Sequence, residues 1–132
     1  MSQNMSKSTL AVILSRLEGF SEPKMRQEQY GMDSEIGASL LWNACILGDI
    51  GKKSIVDLGC GTGILGIGAL LLGASSVVFI DSDEKALDTA KNNISKVKSE
   101  GYNVGISKFI CQEVEDVGAK EDVVLENPPF GT

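Results

Sequence analysis

Histidine is absent from all 132 residues. That excludes Ser-His-Asp and Cys-His catalysis and removes the commonest metal ligand. Cysteine is scarce: Cys45, Cys60 and Cys111 are odd in number, widely spaced and form no CxxC pair. Neither a disulfide framework nor a zinc site follows, so no metal is expected. No long apolar run exists either. The strongest, Ile64 to Ala74, contains three glycines and is too short to cross a bilayer. The first ten residues lack the apolar centre of a secretion signal, so the cytoplasm is the expected compartment and no membrane partner is expected. Positive charge is in deficit, with 12 basic against 18 acidic side chains and a net charge of −6. Proteins that hold nucleic acid unaided usually show a basic face. Lys85, Lys91, Lys96 and Lys98 fall on one predicted helix and read as its solvated side. Chemistry without imidazole favours a cofactor that carries its own reactivity.

What is present is an ordinary globular composition, 42% hydrophobic and 23% charged. The length fits one domain over 1–132, with a helical lead-in over 1–50 and an α/β core over 51–132. Residues 1–7 read as a polar tail. Leu10, Ile13, Leu14 and Leu17 mark a first helix stopped by Gly19. Asp33 is a candidate N-cap for a second, with Ile36, Leu40, Leu41, Ala44 and Leu47 as its apolar face and Gly48 as its stop. Strands and helices then alternate: "SIVDL", the helix "ILGIGALLL", "SVVFI", the helix "DEKALDTAKNNISKVKSE", "VGISKFIC" and "DVVLEN". This alternation predicts a Rossmann-like, doubly wound parallel sheet. "VVL" in the fourth strand is apolar on both faces, as in a covered strand.

The segment "VDLGCGTGILG" joins the first strand to its helix. Gly59, Gly61 and Gly63 stand where the chain turns sharply and a ligand meets the backbone. Asp81 ends the second strand, where a carboxylate can accept from both ribose hydroxyls. Together they indicate an adenosine-containing ligand. Asp57, two residues before the first glycine, would repel a pyrophosphate. It suits the amino group and sulfonium of S-adenosylmethionine; its alternative role is a loop cap without ligand. Asp83 is the better helix cap, which leaves Asp81 for the ligand.

The chain closes on "NPPFGT". Asn127 precedes proline and is driven toward an extended conformation, while Pro128 and Pro129 stiffen the turn. An amide oxygen and a proline carbonyl converging on one point would hold an NH₂ group, and Phe130 could stack on a planar substrate.

"DLGCGTG", "FIDSD" and "NPPFGT" resemble the class I S-adenosylmethionine-dependent methyltransferases that act on amino nitrogens. With "GFSEPKMRQEQY" ahead of the glycine turn, the chain is similar to the subfamily that methylates adenine N6 in small-subunit ribosomal RNA. The resemblance implies cofactor contacts from Gln29, Gly59, Thr62, Ile64, Asp81, Glu113 and Val114, and a grip on the target base from Asn127 through Phe130. Glu113 stands where the family usually has aspartate, and Met32 where it often has threonine. The resemblance also implies an RNA substrate and a small zinc-binding activator protein. Methylation of a protein glutamine amide, or a non-catalytic cofactor-binding fragment, are the alternatives. The resemblance implies a seven-stranded class I sheet of which this chain supplies four strands in order 3-2-1-4, the fourth at an edge, so we expect the front portion of a longer domain.

Overall fold

A computed structural model of the chain describes residues 5–17, 34–113 and 122–126. Helices α1 (Lys7–Ser15) and α2 (Ser34–Ile46) precede β1 (Ser54–Leu58), α3 (Ile64–Leu71), β2 (Ser76–Asp81), α4 (Glu84–Ser99), β3 (Ile106–Cys111) and β4 (Val123–Glu126). The four strands form one parallel sheet, as the alternating pattern predicts, in the order β3-β2-β1-β4 that the family resemblance implies.

Because β1, β2 and β3 step in one direction, right-handed crossovers put α3 and α4 on the same face of the sheet. Ile55 and Asp57 of β1 lie level with Val77 and Phe79 of β2, and all four are buried. Phe79 anchors this layer. Its ring stacks on Phe109 of β3 with centroids 5.0 Å apart, and Lys91 of α4 places its Nζ 5.6 Å from the Phe109 centroid. The lysine stem thus covers an aromatic face that the edge strand would otherwise leave bare. At the amino end of the sheet, the Ser54 N–H and Oγ–H donate to Asp122 Oδ2 at 3.0 and 3.2 Å, fastening β4 beside β1. These bonds hold the Asp122 carboxyl below its usual range.

The lead-in departs from the sequence reading in three places. Met5 is buried in the core, and Ser6 caps α1 by accepting from the Thr9 amide at 3.1 Å, so the polar tail ends earlier than expected. Helix α1 ends at Ser15, with Arg16 as its C-cap, ahead of Gly19. In α2 the buried residues are Gly37, Ala38 and Leu41, whereas Ile36, Leu40 and Leu47 are 52%, 52% and 76% exposed. A count of large apolar side chains points to the wrong face because this helix packs through its small residues. Leu41 enters the space left by Gly68 of α3, where a Cβ would overlap its Cδ1. β4 is an edge strand among the described residues, as the order 3-2-1-4 places it, and Val124 is 47% exposed although the apolar run reads as a covered strand. Asp33 and Gly19 lie outside the described residues.

Gly66 brings α3 down onto the sheet: a Cβ there would overlap the Phe79 ring edge. Gly66→Ala is therefore expected to lower the unfolding free energy by about 1–3 kcal/mol, read from urea denaturation. Gly51→Ala, where a Cβ meets nothing within 4 Å, should change it by less than about 0.5 kcal/mol.

Candidate cofactor site

The turn between β1 and α3 is held from three neighbouring elements. Its glycines Gly59, Gly61 and Gly63 have φ of 64°, 59° and 89°, a left-handed region that side chains with a Cβ disfavour. The Cys60 N–H donates to the Ile80 carbonyl at 3.0 Å, which ties the turn to the end of β2. The Gly61 N–H donates to Asp81 Oδ2 at 2.9 Å. From α4, Asn93 Nδ2 donates to the Thr62 carbonyl at 2.9 Å. At the start of α3, the Gly66 N–H donates to Asp57 Oδ2 at 3.0 Å.

Asp81 is not left wholly for a ligand, as the sequence suggested. Oδ2 holds the Gly61 amide, and Oδ1 accepts from the Asp83 N–H at 2.8 Å. A carboxylate offers about four acceptor positions, so two neutral N–H bonds still leave capacity for a pair of hydroxyls. The carboxylate is half-buried at the carboxyl end of the sheet, so that capacity can face a ligand. Asp83 caps α4 as expected, accepting from the Lys85 amide at 2.9 Å.

Asp57 is 1% exposed. Burial raises its carboxyl from 3.8 to about 7, the Gly66 N–H opposes the rise, and the Asp81 charge adds to it. Burial, with the Asp57 and Asp81 charges behind it, also pushes the Cys60 thiol up. Cys60 is thus a small packing residue rather than a nucleophile.

Gly59, Gly61, Thr62, Gly63, Ile64, Asp57 and Asp81 converge at the carboxyl ends of β1 and β2, the usual ligand crevice of an open α/β sheet. Glu113 joins them. The Gln112 N–H donates to the Asp81 carbonyl at 3.0 Å, and the exposed Glu113 follows directly. Gln29, Val114 and the quartet Asn127, Pro128, Pro129 and Phe130 lie outside the described residues. Asn93 was missed by the sequence reading. Its signal was available: a polar residue inside the apolar stripe Ala86, Leu87, Ala90, Ile94 and Val97.

The donor set fits S-adenosylmethionine. The Asp81 carboxylate beside the turn has acceptor capacity for ribose hydroxyls and favours a ligand bearing sulfonium and ammonium charge over a pyrophosphate, whereas the buried Asp57 is occupied in capping the start of α3 through the Gly66 N–H. Among the described residues no cluster of His, Cys, Asp and Glu could hold a metal ion, and no helix is long and apolar enough to cross a membrane.

The sheet order and the glycine turn define a class I S-adenosylmethionine-dependent methyltransferase fold. The family model described as ribosomal protein L11 methyltransferase (PrmA) matches residues 45–127, and the chain belongs to that methyltransferase family. Relatives named rRNA N(6)-adenosine-methyltransferase are also similar. METTL5 of Danio rerio is 36% identical over 129 residues, covering 97% of this chain and 62% of its own. Mettl5 of Drosophila melanogaster is 38% identical over 122 residues, covering 90% and 56%. A crystal structure from Pyrococcus horikoshii, provisionally described as an RNA methyltransferase, superposes with a TM-score of 0.80 at 41% identity. That match covers 96% of this chain and 61% of the other. The chain thus spans about three-fifths of the length of the relatives it matches.

The buried Asp57 gives a pH test. The folded chain keeps this proton up to about pH 7, whereas the unfolded chain loses it near 3.8. Between those values the native state binds more protons, so Asp57 makes stability fall as pH rises. Asp57→Asn keeps an acceptor for Gly66 without the charge. It is expected to remove this slope, so that the variant gains up to roughly 2–4 kcal/mol on wild type between pH 4 and pH 8. Denaturation curves at both pH values check it.

Proposed function

We propose that the protein transfers a methyl group from S-adenosylmethionine to the N6 amine of an adenine in ribosomal RNA. The observation carrying this reading is the extent of the similarity. Relatives named for rRNA N6-adenosine methylation align over 90–97% of the chain, lead-in included. The family model named for a ribosomal protein begins only at residue 45.

When bound, S-adenosylmethionine supplies a methyl group made electrophilic by its sulfonium. The chain's residues divide the remaining work. Gly59, Gly61, Thr62, Gly63 and Ile64 form the backbone cradle, Asp81 takes the ribose hydroxyls, and the buried Asp57 fixes the start of α3 beneath that cradle through the Gly66 N–H. Glu113, with Gln29 and Val114, completes the cofactor contacts. β4 ends level with β1, Leu58 pairing with Glu126, so "NPPF" follows in sequence directly after the strand end that borders the glycine turn. Asn127 and Pro128 are assigned to accept the two amine N–H bonds, leaving the nitrogen lone pair for the methyl carbon. Pro129 stiffens that turn, and Phe130 stacks on the base. An amine proton can leave for solvent after transfer, so the lack of histidine is no obstacle. A target adenine within a helix must be unpaired or flipped out. The same reading includes a small zinc-binding activator protein as partner and the cytoplasm as compartment.

A second reading, methylation of a planar amide in a ribosomal protein, draws on the PrmA match. Purified protein given methyl-labelled cofactor with separated ribosomal RNA and ribosomal protein fractions decides between them. Label recovered as N6-methyladenosine supports the proposal. Label in protein supports the second reading, and cofactor binding without transfer to either fraction supports a non-catalytic role. Asp81→Ala is expected to weaken S-adenosylhomocysteine binding at least about tenfold by calorimetry, from loss of charge-assisted hydrogen bonds. Asn127→Ala should bind the same ligand within about twofold of wild type and abolish transfer.

A further inference from the structure

We propose that Asn93 of α4 is a positioning residue that holds the glycine turn in its cofactor-ready shape through the Thr62 carbonyl. The proposal rests on the reading that this turn binds S-adenosylmethionine. The Gly66 amide lies four residues beyond Thr62, the spacing of a helical hydrogen bond, yet it donates to Asp57 Oδ2. The Thr62 carbonyl instead accepts from Asn93 Nδ2 at 2.9 Å, across a sequence separation of 31 residues. Two side chains from different elements thus take groups that the helix ladder could have paired with each other. Asp57 fixes where α3 starts, and Asn93 fixes the peptide just before it, between Thr62 and Gly63.

Burial argues that this bond has a purpose. Asn93 is 0% exposed and lies within the apolar stripe of α4, where leucine or alanine would pack without a desolvation penalty. Thr62 is equally buried. A donor is needed there because a buried carbonyl without a partner is unfavourable. The peptide it holds lies between Gly61, which touches Asp81, and Gly63, the left-handed N-cap of α3. The N–H of the same peptide, on Gly63, donates to the Cys60 carbonyl at 3.0 Å, so rotating the peptide would disturb the turn from Cys60 to Gly63, and the effect of losing Asn93 should appear at the ligand.

The test uses Asn93→Leu and Asn93→Asp in the purified protein, followed by calorimetry with S-adenosylhomocysteine and by amide hydrogen exchange. Asn93→Leu keeps the branching at Cγ and the number of heavy atoms but removes the donor. We expect affinity to fall at least about tenfold. Exchange should quicken at the amides of residues 61–63 in the ligand-free protein but not in the last two turns of α4. Asn93→Asp cannot donate when ionised, but a protonated carboxyl can. Its affinity relative to wild type should therefore recover as pH falls from 8 to 5.5. Wild-type affinity with unchanged exchange at 61–63 in a folded Asn93→Leu protein would overturn the proposal. If that variant does not fold, a pH-independent affinity ratio for Asn93→Asp would do so. Wild-type protein that binds no S-adenosylhomocysteine would overturn the cofactor reading itself, and the exchange comparison would still decide whether Asn93 holds the turn.

Discussion

The hydrogen bond from the Gly66 amide to the buried Asp57 carboxylate is the constraint on which the site depends. A carboxylate with 1% exposure in a parallel sheet is unfavourable unless its surroundings are polar. Here it meets the amino end of α3, where helix N–H groups lack partners within the helix and the helix dipole is positive. Joining these two unfavourable ends sets the position of α3 along β1. It leaves the intervening residues, Leu58 to Gly63, no route except the sharp glycine turn.

The approach is close because Gly66 has no Cβ. The same missing atom lets the Gly66 amide reach Asp57 and lets the Phe79 ring lie beneath the helix. Packing and electrostatics therefore act at one residue. Phe79 extends the arrangement to β3 by stacking on Phe109, which lies level with it in the adjacent strand. The glycine turn is thus fixed by apolar contact at Phe79 and by hydrogen bonds that Asp57 and Asp81 accept and Asn93 donates.

Much of this was legible in the sequence where local chemistry and tertiary structure agree. Apolar runs bounded by glycine or aspartate became strands, Asp83 capped α4, and the alternation of strands and helices became a parallel sheet, its order 3-2-1-4 as the family resemblance implied. The misreadings share a physical cause. α2 buries Gly37 and Ala38 rather than Ile36 and Leu40 because its depth is set by Gly68 on another helix, which no periodicity within α2 can reveal. Asp81 and Asn93 were misjudged or missed for the same reason. Their partners, Gly61 and Thr62, lie 20 and 31 residues away and meet them only after the sheet has formed. The closing "NPPF" carries its meaning in sequence and lies outside the described residues.

The division between cofactor and target follows from where each set of constraints lies. The clamps described here come from β1, β2, α3 and α4 and act on the glycine turn. They would serve any acceptor whose nucleophile reaches the same methyl group, whether a base or an amide. That explains how a family model named for a ribosomal protein and relatives named for ribosomal RNA can both match this chain. Acceptor choice must then be made by surfaces outside the clamped crevice. With a net charge of −6, this chain places little positive charge at its own disposal for RNA. On the proposed reading, recognition of an adenine would rely on stacking and on acceptors aimed at one amine more than on positive charge from this chain.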